Sequence, residues 1–265
     1  MEFRTQVDIA RPHFQIEPCE RMLFVGSCFA DEMGRRFAEE KFRATVNPFG
    51  VMYNPASILH TIERLDEAFD TAVLTLGTNH VYILKETGAI VDNCEKRPQQ
   101  LFEERELSVD QCADYLQKAV SALRRRNPSV NIVLTVSPIR YRKYGYHGSQ
   151  LSKATLLLAV ENVAENYFPA YEILNDELRD YRFYKPDMLH PSDQAVEYIY
   201  ERFAETYFSD AAKAFLKEWA PLKAALRHRP FDAESEAYQE FSSKIMLRLE
   251  ALSKKYPNFE KVKSE

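Results

Sequence analysis

Two nucleophile-type residues stand side by side near the amino end of the chain, Ser27 and Cys28 in the stretch FVGSCFA. Either can attack an acyl carbon once a base removes its proton, and near neutral pH a thiol is the better nucleophile. A base with its own orienting partner lies far downstream: Asp187 and His190, three residues apart in DMLHPSD. One turn of chain can aim both side chains into the same crevice. There the carboxylate holds one ring nitrogen and directs the other toward the nucleophile. The competing reading is a surface acid beside a histidine that caps the next helix. Ser192 is the better cap, which favours catalysis. Two more residues suit the charge that develops on an attacked carbonyl. Gly50 in NPFG has no side chain to block approach to its N–H. Asn79 in GTNH carries a donor amide. Each is also compatible with simple turn chemistry.

These residues need a scaffold that gathers them. Short apolar runs at MLFVG (22–26), FRATV (42–46), TAVLTLG (71–77), NIVLTVS (131–137) and YEIL (171–174) predict strands. Segments with helical spacing lie between them: DEMGRRFAEE, NPASILHTIERLDEAF, SVDQCADYLQKAVSALRRR and SQLSKATLLLAVENVAENYF. Continuous apolar strands alternating with helices predict a parallel sheet covered on both faces, an α/β fold with a flavodoxin-like sheet of five strands. VYILKETGAIVD (81–92) predicts a hairpin inserted after the third strand. From about Asp210 the pattern is helical, with two amphipathic segments split at Arg229-Pro230, so the expected division is a domain over 1–208 and a helical extension over 209–265 packed on it.

Ligands of open α/β sheets bind beyond the carboxyl ends of the strands. Ser27, Cys28, Gly50, Asn79 and the Asp187–His190 pair all come after predicted strand ends, and this shared placement is stronger than any one of them. His80, after Asn79, and Arg140, after the fourth strand, fall on the same rim. His80 suits substrate contact or space filling. Arg140 suits an anionic substrate group or an ion pair with an acid of DELRDYRFY. Asn93–Lys96 is a candidate wall or a plain loop. Tyr181, Phe183 and Tyr184 suit a sugar platform or packing.

At 265 residues the chain is long enough for one large α/β domain with a buried core. Its hydrophobic content is 45%, its charged content 28% and its formal charge -5, which argues against nucleic acid or an anionic membrane as partner. No apolar run approaches a membrane span and no export signal is visible, so a cytoplasmic location is expected. Cys19, Cys28, Cys94 and Cys112 show neither paired nor metal-ligand spacing. No phosphate-binding glycine motif occurs, which removes the usual support for nucleotide binding.

Gly26–Cys28, Gly50, Gly77–Asn79 and Asp187–His190 resemble, in order, the four sequence blocks of the SGNH (GDSL-type) hydrolases. More narrowly, GSCFA at 26–30 resembles the signature of the GSCFA domain family, a bacterial branch of that superfamily, and YEILNDELRDYRFYKPDMLHPSDQAVEYIYERF resembles its carboxyl-terminal block. The resemblance spans about residues 5–208. It implies a three-layer α/β/α fold and ester hydrolysis or acyl transfer, with no metal or organic cofactor.

By register the resemblance places Cys28 where the superfamily has its nucleophilic serine, and Ser27 where it has an aspartate. Cys28 is then the expected nucleophile, with Ser27 the alternative if a bulge shifts the register by one. The implied oxyanion hole is the Cys28 and Gly50 amides with the Asn79 side chain. A thiolate favoured by a helix amino terminus and by His190 is expected. His80 departs from the superfamily, which has an acid at that place. The expected substrate is a small-molecule or carbohydrate ester, an O-acetylated carbohydrate first. The rival is a catalytically silent binding domain that keeps the pocket for a sugar or acyl ligand. The C-terminal helices are a candidate homo-oligomer surface.

Overall fold

Residues that cap helices account for where most helices begin. In the computed structural model, which describes residues 3–92, 97–163, 165–228 and 235–259, Ser or Asn side chains accept backbone N–H groups at six helix starts: Ser27, Asn54, Ser108, Ser192, Ser209 and Ser235. The helices they open are α1 (Cys28–Glu39), α2 (Pro55–Glu63), α3 (Val109–Arg126), α6 (Asp193–Tyr207), α7 (Asp210–Leu226) and α8 (Glu236–Lys255). The other two are α4 (Gly145–Glu161) and the short α5 (Ala170–Glu172), which runs on as a π-helix over Ile173–Leu178.

The central sheet has five parallel strands: β1 (Arg21–Gly26), β2 (Arg43–Val46), β3 (Thr71–Leu76), β7 (Asn131–Val136) and β8 (Asn166–Tyr167). Their order is β2-β1-β3-β7-β8, the flavodoxin-like order with its switch point between β1 and β3. Alternation along each strand feeds two cores. Leu23, Val25, Ala72 and Leu74 pack with residues of α2, α3 and α4 on one face. Met22, Phe24, Val73 and Val133 pack with Phe29, Met33 and Phe37 of α1 and Val196, Ile199 and Phe203 of α6 on the other. The result is the three-layer α/β/α arrangement.

Two differences from the sequence expectations concern elements. YEIL is not the fifth strand: β8 lies just before it, at Asn166–Tyr167, paired with Val133 and Leu134. Residues 170–178 are helical because Ala170, Ile173, Leu174 and Leu178 recur at helical spacing and are all buried. The inserted hairpin, β4 (His80–Leu84) with β5 (Ile90–Val91), gains a third strand, β6 (Phe102–Glu106), giving the order β5-β4-β6. Helix α7 lies against the end of α1, where Trp219 Nε1 donates to Glu39 O (3.1 Å) and Lys223 pairs with Glu40 (2.9 Å). Its Phe215, Trp219 and Leu222 form a further core with Ile245, Leu249 and Leu252 of α8. No helix among the described residues is long and apolar enough to cross a membrane. Asn93–Lys96 and the Arg229-Pro230 break lie outside the described residues.

Candidate active site

The carboxyl ends of β1, β3 and β7 form the rim, and β1 delivers both nucleophile candidates. Gly26 ends the strand at φ +143°, and a Cβ there would meet Thr75 O at 2.0 Å, so only glycine lets β1 lie this close to β3. Its N–H donates to Asn47 Oδ1 (2.9 Å), and Asn47 Nδ2 donates to Asp31 (2.6 Å), which fixes the β2 loop to the first turn of α1. Ser27 comes next, as helix cap. Its hydroxyl accepts from Phe29 N (3.2 Å), lies 3.2 Å from Thr75 Oγ1, and the residue is 0% exposed. Cys28, the first helical residue, is partly exposed, and its sulfur lies 3.9 Å from the Tyr53 hydroxyl. Of the two, only Cys28 is accessible to solvent.

The thiolate expectation fails. Burial pushes the Cys28 thiol up, the Asp31 and Glu32 carboxylates add to it, and the Tyr53 hydrogen bond opposes it without winning. The resting group is a neutral thiol.

Asp187 and His190 sit on one tight turn. Asp187 Oδ1 accepts from Leu189 N (2.8 Å) and His190 N (3.0 Å), and Oδ2 contacts His190 Nδ1 at 2.6 Å. Those backbone donors first, then the imidazole, hold the carboxyl down at about 2. The turn needs Met188 in the left-handed region, φ +59°. Two cations secure it. Lys185 pairs with Glu32 (2.8 Å), one helical turn beyond Cys28 on α1. Arg140 donates from its guanidinium to Met188 O (3.0 Å) and from its backbone to Leu189 O (3.0 Å), joining the turn to the end of β7. Among the described residues His190 makes no hydrogen bond to Cys28; the structure brings their two elements together through Lys185 and Arg140.

Of the remaining sequence candidates, Gly50 and Asn79 are engaged in other hydrogen bonds, and His80 and Arg140 pack against aromatic rings. Gly50 does not leave its N–H open: it donates to Asn47 O (2.8 Å) and closes the exposed NPFG turn. Asn79 is buried, its side-chain Nδ2 donates to Leu107 O (2.8 Å) and its backbone carbonyl accepts from Leu107 N (2.9 Å), so the residue clasps the segment before α3. His80 is buried too, stacked on Tyr144 (centroids 3.6 Å apart) with Glu104 and Glu106 at 3.6 and 3.8 Å. Burial lowers its pKa, which keeps it a neutral packing group at pH 7. Arg140 forms no ion pair among the described residues: beyond its bond to Met188 it lies over the rings of Tyr146 (4.3 Å) and Tyr184 (5.3 Å), on the wall of a groove shared with Gln150 and Asn175.

Three site residues escape a reading of the sequence. Tyr53 stands beside Cys28. Tyr141, whose hydroxyl is buried without a hydrogen-bond partner among the described residues, packs edge-on to Tyr53 with centroids 5.9 Å apart. Lys153 of α4 is buried and donates to Gly77 O and Ser137 O, both at 2.7 Å, tying the ends of β3 and β7. A signal for Lys153 exists: Ser149, Lys153, Leu156 and Val160 share one helical face, and that face is buried. No local pattern marks Tyr53.

The family model described as the GSCFA family matches residues 21–71 and 66–203. The chain belongs to the GSCFA family. A second model, the C-terminal domain of GSCFA domain proteins, matches residues 219–265, a span that takes in the end of α7 and all of α8. No curated protein matches the chain. Among solved structures, this GSCFA chain is similar to a putative platelet activating factor from Streptococcus pneumonia at 18% identity, over 71% of this chain and 84% of that one, TM-score 0.45. It is similar to an acetyl-xylooligosaccharide esterase from Geobacillus Stearmophilus at 13% identity, over 73% and 96%, TM-score 0.42. It is also similar to a carbohydrate esterase family 3 structure from Talaromyces cellulolyticus at 9% identity, over 75% and 99%, TM-score 0.40.

Proposed function

We propose that this GSCFA protein is an ester hydrolase or acyltransferase that works through an acyl-Cys28 intermediate. The observation that carries this reading is the division at the end of β1: Ser27 is spent as a buried helix cap, and Cys28 is left accessible on a helix that the Lys185–Glu32 pair ties to the turn holding Asp187 and His190 2.6 Å apart. In the mechanism His190 accepts the thiol proton on the ring nitrogen that Asp187 does not hold, as Sγ attacks the ester carbonyl. Asp187 stabilises the imidazolium that results. Collapse of the tetrahedral intermediate releases the alcohol with that proton, and water or a second alcohol then takes the acyl group from sulfur. The Cys28 amide, at the first position of α1, is a donor for the oxyanion. Because the thiol is neutral at rest, the histidine acts as general base during attack instead of stabilising a standing thiolate.

An O-acylated carbohydrate is the substrate class to test first. Beside the His190 turn lies a groove of about 260 Å³ lined by Arg140, Gln150, Asn175, Tyr181 and Tyr184 among others, a mix of aromatic faces and amides suited to a sugar. The binding-domain reading draws on a different observation, the Cys28 contact with Tyr53 and not with His190. Acyl trapping separates the two. The protein is incubated with p-nitrophenyl acetate and quenched in acid, and the acetyl group is mapped by peptide mass spectrometry. Acetyl on Cys28 that disappears in His190→Ala supports the enzyme. Acetyl on Ser27, or labelling indifferent to His190, sinks the mechanism.

A further inference from the structure

Three donors were expected around the oxyanion, and two are engaged elsewhere: the Gly50 N–H on Asn47 O and the Asn79 amide on Leu107 O. A developing negative charge served by one backbone amide alone would be poorly stabilised. The Tyr53 hydroxyl stands 3.9 Å from Sγ, within reach of that charge. We propose that Tyr53 is a catalytic residue of the acyl-transfer reaction, its hydroxyl donating a hydrogen bond to the oxyanion formed when Cys28 attacks. The proposal rests on the acyl-Cys28 reading and adds a residue to it.

The geometry allows the role. An oxygen on the carbon newly bonded to sulfur lies roughly 2.7 Å from Sγ, so a hydroxyl at the observed separation can reach it at about 2.7–3.1 Å. The ring is pre-set. The Tyr53 carbonyl accepts from Gly77 N (3.0 Å) and Thr78 N (2.7 Å), which locks this residue of the β2 loop to the end of β3. Its ring meets Tyr141 edge-on, and Gly77 leaves the space, since a Cβ there would lie 2.2 Å from Tyr141 Oη and 2.9 Å from Tyr53 O. At 40% exposure Tyr53 is open enough to meet substrate. Burial of the hydroxyl pushes its pKa up to about 12, so it carries its proton throughout the neutral range and acts as donor. No proton is transferred from it. The thiol proton goes to His190, the sulfur–carbon bond forms, and the carbonyl π pair moves onto the oxygen that Tyr53 holds.

The test uses the full chain and the Tyr53→Phe variant, which keeps the ring and loses only the hydroxyl. Three reactions of Cys28 are read: acetylation by p-nitrophenyl acetate, alkylation by iodoacetamide, and reversible capture by trifluoroacetone. Acetylation and trifluoroacetone capture pass through or rest at a tetrahedral oxyanion; alkylation is a displacement at carbon with none. The expected result is acetylation slowed about a hundred-fold with its half-saturating concentration little changed, trifluoroacetone capture weakened by a like factor, and alkylation within about three-fold. Acetylation within about three-fold of the native rate overturns the proposal and leaves the Cys28 mechanism standing. A parallel fall in acetylation and alkylation overturns it as well, because Tyr53 would then be acting on the thiol. A native protein whose Cys28 takes no acetyl group overturns the underlying reading, and the proposal with it.

Discussion

Replacing Asp187 with asparagine separates what this residue does for the fold from what it does for the histidine. The carboxylate accepts three hydrogen bonds, two from the backbone of its own turn through Oδ1 and one from His190 Nδ1 through Oδ2. Asparagine can keep an oxygen toward the two backbone donors, so the turn should persist. The side chain is 43% exposed and its partner 38%, and an ion pair this open contributes no more than about 1 kcal/mol to stability. The chemistry is affected much more. The asparagine NH2 faces Nδ1 and forces the ring proton onto the nitrogen that must accept one from the thiol. Losing the charge-assisted bond removes about 1.5–3 kcal/mol of transition-state stabilisation. With the wrong tautomer added, a total of about 4 kcal/mol is roughly a thousand-fold in rate. The assay is the rate of Cys28 acetylation by p-nitrophenyl acetate, followed by mass spectrometry beside a thermal melt. Asp187→Asn should lose at least as much acetylation as Asp187→Ala, while only Asp187→Ala, which frees both backbone donors, should lower the melting temperature measurably. Acetylation within about five-fold of native in Asp187→Asn would refute the dyad. The carboxyl sits at about 2, below the ordinary aspartate value, so its stabilising effect is present above the unfolded pKa and fades only as pH falls through about 2. The acid limb of any activity profile therefore has another origin.

Two other substitutions probe the rim. Ser27→Ala removes the α1 cap and should cost about 1 kcal/mol in denaturant unfolding while Cys28 still accepts acetyl; loss of acetylation in a protein that remains folded would return Ser27 to the chemistry. Lys153→Met tests a buried amine. Burial holds the Lys153 pKa well below its ordinary value, so between the folded and unfolded pKa values the unfolded chain binds more protons and native stability rises with pH. The native protein should therefore gain stability relative to Lys153→Met as pH is raised from about 7 toward about 10, the ordinary lysine range. A difference independent of pH would refute a perturbed Lys153.

What could be read from sequence was what is local. Asp187 and His190 are three residues apart, and their contact is made within one turn. The strands β1, β3 and β7 were visible because their apolar runs are buried on both faces, and the helices because Ser or Asn caps precede an apolar period. The misreadings have equally local causes. A four-residue apolar run such as YEIL has no period of its own, and only the wider set Ala170, Ile173, Leu174 and Leu178 reveals a helix. Strand β6 escaped because only Phe102 is buried and the other four residues are exposed, three of them glutamates. Gly50 and Asn79 were assigned from chemistry the residues can do, but an amide serves whichever acceptor the fold brings to it. Asn47 and Leu107 brought theirs first. Tyr53 was invisible because its partner in space, Cys28, is 25 residues away with no spacing that links them.

The order Ser27 then Cys28 is a consequence of the architecture and not of a choice between two nucleophiles. A helix that begins directly at a strand end needs a short oxygen side chain as cap, because its first N–H groups are otherwise unpaired. Ser27 meets that need and is drawn under the chain against Thr75. The next residue is then the first helical one, and its side chain stays partly exposed. A hydroxyl in the cap position cannot turn to the cleft without unpairing Phe29 N, and a thiol in its place would be a poor acceptor for that N–H. Ser27 is thereby committed to the cap. Burial and two nearby carboxylates raise the thiol, so reactivity cannot reside in Cys28 alone. On the proposed mechanism it comes from a base on the Asp187 turn and a hydrogen-bond donor at Tyr53. On that reading the loop after β2, locked to β3, carries Tyr53, and the turn at 184–192, joined to β7 through Arg140, carries His190.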